Sequence, residues 1–422
     1  MIAHIDADAF FASALQRKRP DLKGKPLLAL GMGGGCVIAA SYEAKACGVK
    51  TGMRLGDARR LCPKAVALPS DFDEALLASR QIEQILQNRC PIIERYSVDE
   101  WFLDVRALPG GIPEDLLGWA TELKNTISRS VGLTVSIGVG PSKLLAKMSS
   151  EYIKPFGATI VLPDKYITSR GKGSCCPIGS DPGKKRPSIL TIEEFLRDRV
   201  DEAIPGIGAR RAVHAEAHGW NTAWDIANAD KETIQKLFGR PGLDMQRELL
   251  GEALIKVETE SAPPKSISRT RSFPPVKNRD MVYAHLLHHL TYTMLKMRRE
   301  GLACTSISVW LRNGEYTFDQ KIYKLPSPTD TEEQVLPYMH RCFEKLFEYG
   351  TAYTQVGLGL YGLNPKGGTQ YSLFENIKKL DEAEDIQKAL DTLHKRYGRE
   401  ALKRGSAMAI SSAQKTAPRS GK

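Results

Sequence analysis

The order in which strand and helix periods alternate between residues 2 and 139 leaves few folds open to this chain. Residues 2–8 form a short apolar run that ends in carboxylates. From 72 to 86, Phe72, Leu76, Ile82, Ile85 and Leu86 fall on one face of a helix. Ile92–Val98 and Trp101–Val105 are β-rich and separated only by Asp99 and Glu100, which predicts a hairpin with its acidic pair at or near the turn. Leu116, Ala120, Leu123 and Ile127 then repeat at helical spacing, and Leu133, Val135, Ile137 and Val139 alternate as a half-buried strand would. Strand, helix, strand, strand, helix, strand is the split βαβ arrangement, in which helices cover one face of an antiparallel sheet. The fold class is therefore α+β. Residues 10–69 interrupt this arrangement and are numerous enough for a small subdomain.

Past Leu162 the pattern breaks. Residues 169–187 contain four Gly, three Pro and five Lys/Arg, a loop composition with no apolar face to pack. Thr191 and Glu194 have capping-box spacing, and helical sequence runs on to about Val257. Ser261-Ala-Pro-Pro264 reads as a linker, and 267–362, with alternating runs at Thr305–Leu311 and Gln355–Leu360, reads as a second α+β domain. Residues 363–422 are polar, and the last 22 carry five Lys/Arg and no acid, so this end is expected to be disordered.

Composition narrows the function. The chain carries 60 Lys+Arg against 49 Asp+Glu, a net charge of +11, which favours a polyanionic partner. No apolar window reaches the ~18–20 residues that would span a bilayer, and the amino terminus has neither the basic nor the apolar part of a signal peptide. The eight cysteines contain no CxxC pair, so they are read as reduced thiols of a soluble, intracellular protein with no membrane association.

Asp6 and Asp8 close the first strand, while Asp99 and Glu100 lie between two strands of the same sheet. Strand ends of one sheet can converge. Carboxylates brought together repel, and hard divalent cations such as Mg²⁺ relieve that repulsion through oxygen ligands. Two such ions are the usual machinery of in-line phosphoryl displacement. From spacing alone, solvated turns are the commoner explanation of the same acids.

The surrounding motifs change the weighting. Met-Ile-Ala-His-Ile-Asp-Ala-Asp-Ala-Phe-Phe-Ala-Ser (1–13), Ala-Ser-Tyr-Glu-Ala-Lys-Ala-Cys-Gly-Val-Lys-Thr-Gly-Met (40–53), Tyr-Ser-Val-Asp-Glu (96–100), Ser-Ile-Gly-Val-Gly (136–140) and Pro-Gly-Ile-Gly (205–208) occur in one order. Together they resemble the Y-family translesion DNA polymerases, on the bacterial UmuC/DinB side. The resemblance implies a right-hand polymerase with a palm at 1–9 and 70–165, small fingers at 10–69 and a helical thumb at 166–258 that includes the 169–187 loop. It further implies a linker at 259–266, a little finger at 267–362 and a polar tail at 363–422. The activity implied is low-fidelity, template-directed addition of deoxynucleotides to a primer 3′-end in DNA damage tolerance.

Carried over to this sequence, the resemblance makes Asp6 and Asp99 ligands of two Mg²⁺ ions, with Mn²⁺ as a substitute, while Glu100 completes the primer-side site and the Ala7 carbonyl the nucleotide-side site. Asp8 matches an acidic position that is not a principal ligand. Tyr42, Lys45 and Lys154 would contact the triphosphate, Phe11 would be the steric gate against the sugar C2′, and Cys36 and Ile38 would roof the nascent base pair. Many relatives carry Arg in place of Lys45, and a lysine cannot make the bidentate fork of a guanidinium. The alternatives are a core role for Phe11 and plain surface lysines at 45 and 154.

Gly206 and Gly208 fit a helix-hairpin-helix loop whose backbone N–H groups approach a DNA phosphate, although the same letters also make a plain turn. Arg269 and Arg271 flank Thr270 on a predicted strand, so their side chains share one face, which could meet a phosphate backbone or simply water. Gln370, Leu373 and Phe374 lie in Gln-Tyr-Ser-Leu-Phe (370–374), which resembles the peptide that docks bacterial polymerases on the sliding clamp. The implied partners are primer-template DNA, deoxynucleoside triphosphates and the beta clamp, for a monomeric, cytoplasmic and nucleoid-associated catalytic subunit, with accessory subunits left open. Competing readings are a non-catalytic scaffold of the same family, which would lack the acidic triad, and a nucleotide cyclase-like enzyme, which would not explain the basic carboxy-terminal regions.

Overall fold

The computed structural model describes residues 1–398 other than 32, 165, 167–187, 201, 202, 261, 316 and 367–376, together with Leu402 and Gly405. Two compact units divide between Ser261 and Ala262. The predicted 169–187 loop and the 370–374 peptide lie outside the described residues. Among the described residues no helix is long and apolar enough to cross a membrane.

In the first unit, β1 (Ile2–Ala7) leads into α1 (Phe10–Lys18), and the 10–69 segment continues with β2 (Leu27–Leu30), β3 (Val37–Ala40), α2 (Tyr42–Ala46), α3 (Leu55–Leu61) and β4 (Val66–Pro69). β2 pairs with β3 antiparallel and with β4 parallel, and this small sheet packs its own cores of Leu, Val and Ala. The chain then returns through α4 (Phe72–Gln87), β5 (Ile93–Arg95), β6 (Glu100–Asp104), α5 (Leu116–Val131), β7 (Val135–Gly140), α6 (Lys143–Ser150) and β8 (Ala158–Leu162). After 167–187 follow β9 (Ser188–Thr191), α7 (Ile192–Arg197), α8 (Ala209–Glu216), α9 (Ala223–Ala227) and α10 (Lys231–Leu249).

The principal sheet has the order β5-β6-β1-β7-β8-β9, with β1 antiparallel to both neighbours and β8 and β9 added in parallel. α4 and α5 cover one face, burying Ala75, Ala78, Ile82, Leu86, Ala120, Leu123 and Ile127 against Ile5, Leu103, Ile137 and Val139. Two details differ from the sequence reading. Phe72 and Leu76 remain 39% and 42% exposed, because the seam of α4 is made of small residues, Ala75, Ala78 and Ser79, that let it lie close to the sheet. β7 is buried on both faces, because α6 covers the second one. That seating needs glycine: a Cβ on Gly138 would stand 2.2 Å from the Ala146 carbonyl oxygen and from the Ser150 nitrogen.

α6 is also shared with the helical part of the unit. Its Leu145 and Met148 join Phe195, Ile207, Ala212, Ile226 and Leu249 in one core. Thr191 and Glu194 form the expected capping box of α7. α10 is broken at Gly239, whose φ of 67° starts a kink at Pro241.

In the second unit, β10 (Ser266–Val276), α11 (Arg279–Arg299), β11 (Leu302–Asn313), β12 (Phe318–Thr329), α12 (Glu332–Glu344) and β13 (Tyr353–Tyr361) build an antiparallel sheet of order β10-β13-β11-β12 with both helices in its apolar core. The described residues beyond 362 hold more structure than their polar composition suggests. β14 (Asn364–Pro365) pairs with β11, and α13 (Ile377–Tyr397) buries Ala383 and Gln387 while Asp391 pairs with Arg298 at 2.6 Å. That ion pair is invisible to a window that scores only local polarity.

Gly138→Ala is expected to lift α6 from the sheet, costing at least about 2 kcal/mol by overpacking. Thermal unfolding of the variant should show a lower midpoint, and an unchanged midpoint would mean that α6 seats differently.

Candidate active site

β1 and β6 place Asp6 directly opposite Glu100, and the Ala7 N–H donates to the Asp99 carbonyl oxygen at 3.0 Å. The adjoining strand ends thus bring residues 6, 99 and 100 to one corner of the sheet. Asp6 Oδ1 accepts from Lys154 Nζ at 2.7 Å, and the same ammonium donates to Glu151 Oε1 at 2.6 Å. Burial pushes the Asp6 carboxyl up to about 8 against the pull of Lys154. Burial opposes the Lys154 charge, but Asp6 and Glu151 outweigh it and raise its pKa. Asp99 Oδ1 accepts from the Ser97 hydroxyl at 2.6 Å, and burial raises this carboxyl as well. Glu100 is gripped by Lys147, one turn along α6, and stands 3.7 Å from His4 Nε2.

His4 is fully buried. Ser150 Oγ gives its only hydrogen to the Lys147 carbonyl oxygen at 2.8 Å, so the 2.8 Å contact with His4 Nδ1 is donated by the imidazole. Burial, with Lys147 and Lys154 nearby, holds this histidine well below its usual range and therefore neutral.

Asp8 faces a different set of partners. Its Oδ1 accepts from Ser136 Oγ at 2.8 Å and lies 3.4 Å from the Tyr42 hydroxyl, while Oδ2 accepts from the Phe156 N–H at 2.9 Å. Every partner is a donor, so Asp8 fastens β7, α2 and the 156 turn to the end of β1.

Ser41 Oγ, accepting from the Leu27 N–H at 3.0 Å, pins the start of α2 to β2. The Lys45 ammonium lies 4.5 Å over the Tyr42 ring. Burial raises the Tyr42 hydroxyl pKa, and burial together with Lys154 lowers that of Lys45. Tyr42, Lys45 and Lys154 therefore share one electrostatic neighbourhood with Asp6 and Asp8. Lys154 itself is placed on Asp6.

Ala9 has a φ of 46°, unusual for a residue with a Cβ, and turns the chain from β1 into α1. Phe11 follows, half-buried, with its ring edge-on to Phe10 at 5.4 Å and to Phe72 at 5.5 Å. Ile38 is half-buried against the same cluster, whereas Cys36 is exposed and bridges to Arg54.

Farther along the first unit, Ile204 and Ile207 bury the ends of the predicted hairpin loop. Gly206 has a φ of 100° and Gly208 caps α8, and a Cβ on either would meet nothing within 4 Å, so the loop backbone is open to approach. Arg211 Nη1 donates to the Gly206 carbonyl oxygen at 2.8 Å and sets a guanidinium beside that loop. In the second unit, Arg269 lies opposite Leu358 and Arg271 opposite Val356. The two do share a face, and it is the one packed by α11: the Arg269 guanidinium lies 3.8 Å over the Tyr292 ring. Ser266, Ser268, Thr270 and Ser272 occupy the other face of β10.

The carboxylates of residues 6, 99 and 100, the first buried and the other two half-buried, are an all-oxygen donor set of the kind that hard divalent cations require. Among the described residues no three acid, His or Cys side chains stand together as a finished metal cage. Lys154 and Lys147 provide the counter-charge to Asp6 and Glu100 instead.

The impB/mucB/samB family matches residues 5–151, and the C-terminal domain of that family matches 264–373. DNA polymerase IV of Moorella thermoacetica is 31% identical over 407 residues, covering 94% of each chain. Protein ImpB of Salmonella typhimurium is 27% identical over 93% of this chain and 90% of its own. This chain belongs to the Y-family translesion DNA polymerases. A solved Y-family DNA polymerase chimera covers 86% of the chain and 99% of its own at 22% identity with a TM-score of 0.71, which supports the fold. The protein is accordingly a DNA-directed DNA polymerase, as its motifs imply.

His4, Ser136, Lys147, Glu151 and Arg211 were not singled out by the sequence reading. Lys143, Lys147 and Glu151 are spaced by four and share an α6 face, a signal that becomes informative once α6 is known to lie beside the acids.

Asp8→Asn replaces an acceptor oxygen by an NH₂ that must face a donor, so a loss of about 1–3 kcal/mol in stability is expected. Denaturant unfolding checks this, and wild-type stability in the variant would remove Asp8 from its fastening role.

Proposed function

We propose that this polymerase adds deoxynucleotides by two-metal phosphoryl transfer at the corner formed by Asp6, Asp99 and Glu100. The observation that supports this most is the cross-strand pairing of Asp6 with Glu100 beside a half-buried Asp99. Asp6, Asp99, Glu100 and the Ala7 carbonyl would hold two Mg²⁺ ions, or Mn²⁺ in their place. When bound, such ions neutralise phosphate charge and favour the ionised primer hydroxyl.

The protein groups have defined work around that chemistry. With cations bound, Asp6 and Glu100 would give up their lysine partners, and Lys154, released from Asp6, would turn its charge to the triphosphate next to Lys45 and Tyr42. The neutral His4, donating from Nδ1 to Ser150 Oγ, ties β1 to α6 behind Glu100. The primer 3′-oxygen attacks the α-phosphorus of the incoming nucleotide, the bond to the bridging oxygen breaks, and pyrophosphate leaves; positioning and charge neutralisation carry most of such a step. Phe11 lies against the sugar, with Ile38 and Cys36 over the base pair.

The open backbone at Gly206 and Gly208, with Arg211 beside it, suits a DNA phosphate. Residues 265–300 hold eight Lys/Arg and two acids, which suits further phosphate contacts, with Arg271 the more exposed of the strand pair. Gln370, Leu373 and Phe374 are assigned to the sliding clamp on their sequence alone. The basic charge fits a monomeric catalytic subunit working in the cytoplasm at the nucleoid.

Asp99→Ala and Glu100→Ala should each lower single-nucleotide primer extension by at least about a thousandfold while primer-template affinity changes less than threefold, since phosphate contacts lie elsewhere. Extension retained in both variants, measured beside a gel-shift titration, would overturn the metal assignment.

Phe11→Ala tests the gate. An unpartnered buried 2′-hydroxyl costs about 1–3 kcal/mol, roughly 5–150-fold in discrimination before any overlap. The ratio of ribonucleotide to deoxynucleotide efficiency should therefore rise at least tenfold in the variant. An unchanged ratio with a melting temperature lowered by a core loss of about 3–5 kcal/mol would instead make Phe11 a packing residue.

A further inference from the structure

Outside the acidic corner, one pair of nucleophilic side chains is held in contact: Cys47 Sγ and Cys62 Sγ are 3.0 Å apart. Cys47 ends α2 and Cys62 ends α3, so the carboxy-terminal ends of two helices meet through their thiols. Cys47 is exposed, whereas Cys62 is 3% exposed in the core of the small sheet with Ala44 and Ala58. Among the described residues no other two thiols are in contact.

We propose that Cys47 and Cys62 are an oxidation site, closed to a disulfide by hydrogen peroxide or another hydroperoxide, and that closure loosens the nucleotide grip of α2. The exposed Cys47 thiolate attacks the peroxide O–O bond, giving a sulfenic acid and, once the leaving hydroxide takes a proton, water. The Cys62 thiol then attacks the sulfenyl sulfur, the S–OH bond breaks and a second water leaves. Two thiols and one peroxide thus become one disulfide and two waters, and a dithiol reductant reverses the change.

A disulfide requires its sulfurs at ~2.05 Å, so they must close by roughly 1 Å. Cys62 is fixed in the core, so the movement falls on the α2 end. That helix has five residues, with Lys45 two positions before Cys47 and Tyr42 at its start. So short an element transmits a shift at its cap to both side chains. The consequence for nucleotide binding rests on the triphosphate role given to Tyr42 and Lys45 above, whereas the cross-link itself does not.

The test uses the full-length protein, titrated with hydrogen peroxide, quenched with N-ethylmaleimide and mapped by mass spectrometry. A peptide linking Cys47 to Cys62 is expected, absent after dithiothreitol and absent in Cys47→Ser, which leaves the core untouched, and in Cys62→Ala. Unlinked Cys47 sulfinic acid beside alkylated Cys62 would overturn the site. In single-nucleotide extension the oxidised wild type should show a nucleotide KM at least threefold higher, restored by reductant, with primer-template affinity unchanged and no response in Cys47→Ser. A linked peptide with unchanged KM would overturn the control of α2. A reduced enzyme that extends no primer would count against the catalytic assignment and leave the peptide map to decide the cross-link.

Discussion

The close seating of α6 on β7 is the contact on which the first unit most depends. Gly138 and Gly140 have no side chain between strand and helix, and the helix backbone lies where their Cβ atoms would be. One face of α6 then covers the sheet behind β1, while Leu145 and Met148 enter the core of the helical bundle. Its amino terminus is tied to α10 as well, with Ser142 Oγ donating to the Glu248 carbonyl oxygen at 2.8 Å and the Leu144 N–H donating to Glu248 Oε2 at 3.1 Å. A single helix therefore sets the sheet, the bundle and the lysine that holds Glu100.

The acidic corner exists under electrostatic tension. Burial disfavours ionised carboxylates, and placing Asp6, Asp99 and Glu100 together adds mutual repulsion. Lys154 and Lys147 offset this, each contacting one acid. Removing one partner of a buried ion pair leaves an uncompensated charge, so the lysines stabilise the corner only while nothing stronger than an ammonium is present. Such replaceable counter-charges suit the proposed two-metal site better than fixed ones would. Asp8 shows the contrast: its partners are hydroxyls and an N–H, and it stays a structural acceptor.

Much of this was legible in the sequence because it is local. The period of α5, the hairpin around Asp99 and Glu100 and the capping box at Thr191 each follow from residues within a few positions of one another. What was not legible depends on distant partners. α4 buries Ile82 and Leu86 as expected, but along its first turns the seam is made of alanines and a serine while Phe72 and Leu76 stay exposed, so a rule that weighs bulk misplaces that half of the face. β7 reads as half-buried until α6 is placed over it. The acids at 6, 99 and 100 and Lys154 stand out by motif, but Lys147 does not, because its pairing with Glu100 spans 47 positions. Arg269 and Arg271 were correctly put on one face of β10, yet only the register with Leu358 and Val356 shows that this is the face packed by α11.

The position of Phe11 shows why burial alone does not assign a role in this enzyme. α1 lies between two cores: Phe10 and Ala14 belong to the cluster under the principal sheet, and Ala12 and Leu15 to the cluster under the small sheet. Phe11 borders both, at the amino end of the helix and just past the turn that follows Asp8. Other joints include a 3.4 Å contact from Tyr42 to Asp8 and the ion pairs of α1 with the start of α4, Arg17 with Glu74 at 3.4 Å and Lys18 with Asp71 at 2.6 Å, the last an exposed pair of the kind that contributes ~0–1 kcal/mol. Residues at such a seam are half-buried by construction, whether they gate a substrate or fill a gap. On the proposed reading the nucleotide would be held at this seam, between Asp6 and Glu100 on the principal sheet with Lys154 beside them and Tyr42 and Lys45 on α2 beside the smaller sheet.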